Sequence, residues 1–526
     1  MEERLLDGDG GRPSPWTRFW FQFSVVHVLD IHAFLIGFSS SFTSPTLSQI
    51  ISDLELCSDS DDDGVCDTGS WVASAINITA LLGALLAGRF ADSFGRKRAL
   101  LVVSLPWTVG YTLIGSSYLL RHSPHQAMVM LLSGRAVTGL AVGMASSIIP
   151  CFVAEMAARE YRGVLLALMN LNISWGILAI AVLGIWVERI DGWWSVMGFF
   201  AAFLGALVAL VVSRVPESPT FLARHGNQQE AIAALRWFHG DTLDAEAEAS
   251  VLAQSGHADA APAAYAAFPI RTQMRRQMTD QEDLSSLAAA ARDAETAESK
   301  DVAEVSPPSA LRPASLGIFI VAAFALSGQK MILAFLNQIF ISAGADPIVG
   351  SIGYGLAQVV VSVLGMKYLV PNFGRVTLLV TSLVGNCFSM GALGLSFLLD
   401  SQGFAQQKHW LPILALVSFI SFTAVGLGPL SWAYSSEICP KHIRGQVSGV
   451  ALFTFWSLSF VETQFFEVLI KTLTETGLFF AFAVICAVNG IIFRFIGAET
   501  QGLTLAQVEA RFSQQQKQAQ EPPRYK

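Results

Sequence analysis

The stretch EMAAREYRG at residues 155–163 recurs as EICPKHIRG at residues 437–445, which is 282 residues further along the chain. Both copies begin with a glutamate, carry an arginine seven positions later and place a glycine directly after it. The tripeptide FGR likewise occurs at 94–96 and again at 373–375. The second spacing is 279 residues, and self-similarity at nearly one spacing indicates an internal duplication. The sequence therefore predicts two similar halves.

The composition is typical of a membrane protein. Of the 526 residues, 52% are hydrophobic and only 14% are charged, whereas soluble domains carry about 25% charged residues. The net charge is −8, and no basic patch stands beside interleaved aromatic residues, which argues against nucleic-acid binding. The lipid bilayer is therefore the expected environment.

The chain contains enough long apolar runs to cross a membrane many times. A bilayer core of about 30 Å needs roughly 20 mostly apolar residues in each helix. Twelve runs meet this requirement, at 19–46, 71–91, 99–119, 127–153, 164–186, 193–213, 314–342, 348–370, 376–399, 410–435, 447–470 and 477–497. Divided between two halves, they predict six helices in each.

The duplication and the runs together predict the domain organisation. Because six is an even number, the two halves run parallel and are related by an axis along the membrane normal. We expect an all-α membrane protein with twelve transmembrane helices in two six-helix, pseudo-symmetric halves. The expected segments are a tail at 1–18, a bundle at 19–214, a linker at 215–312 that is helical and then disordered, a bundle at 313–499 and a tail at 500–526.

Lysine and arginine in the short loops predict the orientation. The loop that follows the second run carries Arg96, Lys97 and Arg98, whereas the first loop, SDLELCSDSDDDGVCDTGS, has no basic residue. Both termini are therefore predicted to be cytoplasmic, in the plasma membrane or an endomembrane. Cys57 and Cys66 lie in the acidic loop, where a disulfide could form if that side is oxidising.

Several motifs resemble one transporter family. GRFADSFGRKR (88–98) resembles the loop between helices two and three of the major facilitator superfamily. PESPTFLARHG (216–226), GPLSWAYSSEICPKHIRG (428–445) and AETQGLTLAQVE (498–509) resemble the sugar porters, and TSP (43–45) resembles their hexose and trehalose branch. On these motifs the chain is identified as a member of the sugar porter family.

The resemblance implies a carrier that works by alternating access, with a monosaccharide as the first candidate among small polar solutes. It implies facilitative transport by a monomer, no cofactor and no enzymatic activity, and no catalytic constellation is visible in the sequence. Three alternatives stay open. They are a proton-coupled carrier, an anion or organic-acid carrier that uses Lys330 as counter-ion, and a non-transporting nutrient sensor.

Charged residues recur at the cytoplasmic ends of the helices in both halves. The resemblance implies that they pair across the halves when the carrier faces outward and separate when it faces inward. The alternative is that they only orient the protein and anchor helix ends. The predicted gating network comprises Asp92, Arg96, Glu155, Arg162, Glu217, Arg375, Glu437, Arg444 and Glu499. Pro371 replaces the second-half counterpart of Asp92, so that half of the network is expected to be weaker.

Neutral amides and tryptophans are the side chains that hold sugars in this family. The resemblance assigns these roles to Asn170, Trp432 and Trp456. On helix eight the family's asparagine falls at Val359, and the neighbouring Gln358 is a further candidate, as is Asn337. The helix-seven stretch FALSGQK (324–330) departs from the family pattern, because both glutamines are missing and Lys330 replaces an asparagine. The family's substrate therefore cannot simply be carried over to this chain.

Lys330 lies deep in an apolar run. At about 1.5 Å per residue it is roughly 18–24 Å from either end, so its ammonium cannot reach an interface. A charge that faces lipid at that depth is costly. Lys330 must therefore line the cavity and bind substrate, pair with a buried acid such as Glu462, or be a neutral amine.

Proton coupling is predicted to be absent, because Ser39 occupies the position at which related symporters carry an aspartate. The alternative coupling residues are Asp30, with His27 three positions earlier on the same helix face, and Arg135. The small residues Gly139 and Gly143 on helix four predict close helix packing.

Overall fold

The computed structural model describes residues 15–56, 67–158, 160–187, 189–240, 252, 308–402, 410–502, 507–508 and 512, and these residues are almost entirely helical. Within them, eleven helices are long and apolar enough to cross a membrane. Cys57, Cys66 and most of the predicted linker lie outside the described residues.

The first half contains six membrane helices, α1 to α6. Helix α1 is interrupted at Asp30, where the backbone leaves helical geometry, and it continues toward the opposite side of the membrane as a third segment. The bounds are α1 Pro15–Leu29, Ile31–Ser41 and Thr43–Asp53; α2 Asp67–Phe94; α3 Arg96–Ser117; α4 Pro124–Met156; α5 Arg162–Leu183; and α6 Trp193–Val212.

The second half contains helices α7 to α12. Their bounds are α7 Pro308–Ala325 and Gln329–Ser342; α8 Pro347–Leu364; α9 Arg375–Ser401; α10 Trp410–Val425 and Leu427–Ile438; α11 Lys441–Gln464; and α12 Phe466–Ile496. At about 1.5 Å per residue, the 24 residues of α11 are also long enough to cross the bilayer. Its serines, threonines, Glu462 and Gln464 make it less apolar than the other eleven. Helix α11 runs from Lys441 to Gln464, so it begins and ends earlier than the predicted run 447–470. It ends there because the chain breaks at Phe465.

Helix α7 is divided by a short non-helical stretch at 326–328. Gly328 has a φ of 82°, a left-handed conformation that glycine adopts without the steric cost of a Cβ atom. The second segment starts at Gln329. The break therefore places Lys330 in the first turn of a new helix near the centre of the bundle.

Close helix packing on α4 follows from its glycines, as predicted. A Cβ atom added to Gly143 would lie 1.9 Å from the backbone oxygen of Ala80 on α2. The same holds between α1 and α5, where a Cβ on Gly176 would lie 2.0 Å from the backbone oxygen of Phe34. Small residues allow such helix backbones to approach each other in a membrane.

The two halves meet through α2 packed against α11 and through α5 packed against α8. The outer surface carries exposed apolar side chains such as Leu86, Phe203, Phe388 and Phe495, which suits contact with lipid. The central faces of α1, α4, α5, α7, α8, α10 and α11 are left to enclose a space between the halves.

Two short helices, Pro219–Arg224 and Gln228–His239, follow α6. They lie against the end of the first half: the amide of Gln22 donates to the Phe238 carbonyl at 3.1 Å and also accepts from the Ala158 N–H at 3.1 Å. The start of the linker is thus helical and attached to the first bundle.

Candidate functional site

A cavity of about 230 Å³ lies between the two halves. Five of the six predicted substrate residues line it, and each half contributes to the lining: Asn170 from the first half, and Lys330, Gln358, Trp432 and Trp456 from the second. The sequence positions are distant, so the arrangement exists only because the halves face each other.

Hydroxyl and amide groups that the sequence reasoning missed also line the cavity. They are Ser40, Ser146, Ser147, Ser174, Gln329, Ser362, Thr423, Ser435, Ser436 and Ser448. Their signal was weak, because membrane serines commonly bond to the backbone of their own helix. Ser146 does so, donating to the Gly143 carbonyl at 2.8 Å.

Three polar atoms of the cavity lining have no hydrogen-bond partner among the described residues. They are the side-chain oxygen Oε1 of Gln358, the hydroxyl oxygen of Ser435 and the indole nitrogen Nε1 of Trp456, all of which are buried. A buried polar group without a partner costs free energy that a suitable ligand can recover. The cavity is therefore equipped to bind a molecule that carries both hydrogen-bond donors and acceptors.

The ammonium group of Lys330 points into this cavity. Its Nζ donates to the Ser40 hydroxyl across the interface of the halves at 3.2 Å. It also lies 5.0 Å from the ring centroid of Trp456 and 5.8 Å from that of Phe455, within the range of cation–π attraction.

The predicted partner acid, Glu462, does not pair with Lys330 in the structure. Glu462 is 6% exposed; its carboxylate faces the backbone N–H of Gly328 at the α7 break, and no cation of the described residues lies within 4 Å of it. It does not line the cavity, whereas Lys330 does. In this conformation the interpretation of Lys330 as one half of a structural ion pair is therefore wrong.

Asn337, the sixth predicted substrate residue, lies outside the cavity lining. Its side-chain oxygen accepts from the Ser44 hydroxyl at 3.0 Å and from the Ser351 hydroxyl at 2.5 Å. Asn337 is about two and a half turns of helix beyond the α7 break, and its amide joins α7 to the neighbouring helices instead of facing the central space.

Hydrogen bonds between the halves close one side of the cavity. We call this set the seal: Thr43 to the Ala334 carbonyl at 3.0 Å, Ser44 to Asn337 at 3.0 Å, Ser74 to Gln464 at 2.5 Å and Asn77 to Thr463 at 2.9 Å. On the other side the lining reaches Gly163, the last residue of the first duplicated motif, and Ser436, the residue before the second. The cavity therefore opens toward the side that carries Glu155 and Glu437, which we call the motif side.

On the motif side of the first half, Arg96 joins two acids. Its guanidinium lies 3.0 Å from Glu155 and 3.0 Å from Asp92. The Ser218 hydroxyl donates to the second oxygen of Glu155. Asp92, Arg96 and Glu155 thus form one network that connects α2, α3 and α4.

The second half repeats this network with longer contacts. Arg375 lies 3.5 Å from Glu437, and the Thr500 hydroxyl donates to Glu437 at 2.7 Å. At the position equivalent to Asp92, the backbone carbonyl of Pro371 accepts from the Gln501 amide at 2.9 Å. Pro371 therefore offers no carboxylate to Arg375, and the weaker second half of the network stays a prediction.

Glu217 and Glu499 occupy equivalent places at the starts of α3 and α9. Glu217 accepts from the Lys97 N–H at 2.9 Å. Glu499 accepts from the Arg375 N–H at 2.7 Å and from the Val376 N–H at 3.1 Å. A carboxylate at a helix N-terminus satisfies free N–H groups and complements the helix dipole.

Arg162 and Arg444 each bond the chain just beyond the preceding helix. Arg162 donates to the Ala157 carbonyl at 3.3 Å, and Arg444 donates to the Cys439 carbonyl at 3.1 Å. These contacts stay within one half, as do the Arg96–Glu155 and Arg375–Glu437 pairs. Pairing across the halves concerns the opposite conformation and stays a prediction.

The alternative coupling residues lie away from the cavity. Asp30 is fully buried and accepts from the Asn172 amide at 3.3 Å, and the same amide lies 3.4 Å from His27. Arg135 donates to the backbone carbonyls of Val72 at 3.0 Å and Ser39 at 3.2 Å. At Ser39, the position where related symporters carry an aspartate, Arg135 therefore contacts a backbone carbonyl and not a carboxylate.

Comparison with known proteins agrees with this geometry. The chain is 28% identical over 500 residues to the "Facilitated trehalose transporter Tret1" of Anopheles gambiae, covering 94% of this chain and 56% of that protein. For the same transporter of Drosophila yakuba the identity is 29% over 496 residues, covering 94% of this chain and 52% of the relative. The chain thus spans about half the length of these relatives.

Solved structures show the fold. The inward open conformation of the xylose transporter XylE from E. coli superposes with a TM-score of 0.72 at 18% identity, covering 93% of this chain and 99% of that chain. The structure of the major facilitator superfamily proton:xylose symporter XylE bound to 6-bromo-6-deoxy-D-glucose gives 0.70 at 19% identity, covering 94% and 99%. The predicted all-α major facilitator fold is confirmed.

A family description extends over most of the chain. The sequence model for "Sugar (and other) transporter" matches residues 25–512, which include both halves and the linker between them. The chain is a multi-pass integral membrane protein, and it belongs to the sugar (and other) transporter family.

Proposed function

We propose that the protein is a carrier, not an enzyme, that moves a small sugar across a membrane by alternating access. The observation that carries the proposal is the cavity between the halves, which is sealed on one side and open on the other. A carrier of this class binds its solute near the midplane at the interface of the repeats. Closing the motif side and opening the seal would deliver the solute across the membrane.

The lining supports a sugar as the solute. Asn170 and Gln358 offer amides to sugar hydroxyls, and the indoles of Trp432 and Trp456 offer flat apolar faces to the ring. Hydrogen-bond donors and acceptors that have no protein partner, placed in a partly apolar pocket, orient a small polar ligand. We assign substrate binding to these four residues and to Lys330.

The size of the cavity favours a monosaccharide over a disaccharide. Its volume of about 230 Å³ lies below the range of roughly 300–1,000 Å³ that is usual for ligand pockets. The relatives from mosquito and fruit fly carry the name of a trehalose transporter, so trehalose is the disaccharide to compare.

The transport is proposed to be facilitative. Among the described residues that line the cavity there is no carboxylate that could exchange a proton with the solute path. We further propose that both termini are cytoplasmic, in the plasma membrane or an endomembrane, so that the structure faces inward. The bundles are taken as 19–214 and 313–499, and the chain as a monomer.

Reconstitution of the purified full chain into proteoliposomes tests the proposal. We expect radiolabelled hexose to exchange across the membrane and to be inhibited by unlabelled hexose, with trehalose the weaker competitor. A protein that binds hexose but never exchanges it would be a sensor instead. Absence of both binding and exchange for sugars would refute the proposal.

A further inference from the structure

The cavity holds one charged side chain, and it is a cation. Of the described residues that line the space, Lys330 alone carries a charge. Its hydrogen-bond partner is the neutral hydroxyl of Ser40, and its other neighbours are the aromatic rings of Phe455 and Trp456. Aromatic rings attract the ammonium but cannot neutralise it.

A second buried cation stands behind the same segment of α1. Arg135 is 1% exposed and donates to the backbone carbonyls of Val72 and Ser39. Ser39 is the direct neighbour of Ser40, which Lys330 contacts. Neither cation has a carboxylate within 4 Å among the described residues.

This arrangement makes the cavity electropositive where the solute binds. Removing a charge from water is costly unless an opposite charge or strong hydrogen bonds compensate it. Glu462 does not supply the compensation, since it makes no ion pair with Lys330 and lies outside the lining. An anion that enters from the motif side would supply it.

We propose that the preferred solute is an acidic monosaccharide, a hexuronate or a similar sugar acid, whose carboxylate binds Lys330. This inference rests on the proposed sugar-carrier function and specifies the substrate class of the same cavity. The sugar hydroxyls meet Asn170 and Gln358, the ring lies on Trp432 or Trp456, and the carboxylate replaces the Ser40 hydroxyl as the partner of the ammonium.

Three ligands of nearly equal size distinguish the effect of the carboxylate charge from the effect of the rest of the sugar. D-glucuronate carries the carboxylate, D-glucuronamide replaces it with a neutral amide, and D-glucose has a hydroxymethyl group there. In counterflow with proteoliposomes of the full chain, we expect glucuronate to be preferred over the two neutral sugars by on the order of ten- to a hundredfold in apparent affinity.

Variants of Lys330 test whether this residue causes the preference for glucuronate. Lys330→Gln should abolish the difference in apparent affinity between glucuronate and glucuronamide, whatever its overall rate of exchange, and Lys330→Arg, which keeps the charge, should retain part of that difference. Glu462→Gln should leave the preference unchanged, because Glu462 does not balance Lys330. If Lys330→Gln does not fold, thermal stabilisation of the wild-type protein by glucuronate but not by glucuronamide tests the same point.

The outcomes are distinct. Exchange of glucose and glucuronamide at least as effective as that of glucuronate would overturn this inference and leave the sugar-carrier proposal standing. Loss of the glucuronate preference in Glu462→Gln would also overturn it, because Glu462 would then take part in setting the charge of the site. Failure of all three ligands to bind or exchange would refute the sugar-carrier proposal itself, and this inference with it.

Discussion

The side-chain amide of Asn77 on α2 donates to the Thr463 hydroxyl on α11 at 2.9 Å and so joins the two halves of the protein. The same amide lies 3.3 Å from the Ser459 carbonyl. Both ends of this contact are buried. An Asn-x-Thr acceptor pattern begins at Asn77, but its position inside a helix contact explains why it should not be glycosylated.

Loss of this contact should weaken the seal. A buried hydrogen bond contributes about 1 kcal/mol, so Asn77→Ala should shift the population toward the conformation open on the opposite side by roughly fivefold. Leu333→Cys near the seal then reports access for an impermeant maleimide added outside. Asn386→Ala, which removes the 3.0 Å bond to Thr423 within one half, should leave outside labelling low. Equal labelling in both variants would contradict the role of the seal.

The motif-side network should control the rate of transport. Glu437→Gln or Arg444→Ala removes a charge that holds helix ends in place, and we expect exchange to slow by on the order of tenfold or more while the protein still elutes as a folded species. Arg98→Ala is the matched control, because Arg98 is an exposed arginine on the same side. Unchanged exchange in Glu437→Gln and Arg444→Ala would show that these residues serve only as anchors.

Uptake should follow the solute gradient without help from protons. Asp30 lies outside the cavity lining and Arg135 contacts backbone carbonyls, so an imposed proton gradient should not accelerate sugar uptake. Asp30→Asn should transport like the wild-type protein. Proton-driven accumulation that disappears in Asp30→Asn would instead identify Asp30, with His27 and Asn172, as a coupling site.

Single introduced cysteines test the orientation. Asn227 lies at the exposed start of a linker helix, and His122 lies in the exposed loop between α3 and α4. In intact cells with the native cysteines replaced, His122→Cys should react with an impermeant maleimide added outside, and Asn227→Cys only after permeabilisation. The reverse labelling pattern would invert the predicted topology.

Helix packing at α4 should not tolerate even one methyl group. A Cβ on Gly143 would lie 1.9 Å from the Ala80 oxygen, so Gly143→Ala should separate α2 from α4 and lower the melting temperature measured in detergent. Gly88→Ala is the control, because a Cβ there meets no atom within 4 Å and alanine favours a helix by about 0.5–1 kcal/mol. Similar melting temperatures in the two variants would contradict the close packing.

Much of the fold was predictable because hydrophobicity and duplication are local properties of a sequence. Membrane spans need only long apolar runs, and the repeat of Glu155 at Glu437 identified the two halves. The boundaries of α11 were less accurate, because Ser, Thr and Glu462 weaken its apolar signal. The site was predictable only where a family motif named the position, as for Asn170 and Trp432.

The sequence by itself determined that the chain crosses the membrane in two similar halves and that Lys330 lies too deep to reach water at either surface. The sequence left open whether Lys330 pairs with Glu462 or lines the cavity, because both residues are buried and the distance between them depends on how α7 and α11 pack. Only the tertiary structure decided this: the break at Gly328 turns Lys330 toward Ser40 of the other half. It also placed Asn337 in the seal, since the contacts between the halves are non-local and no periodicity along the chain records them.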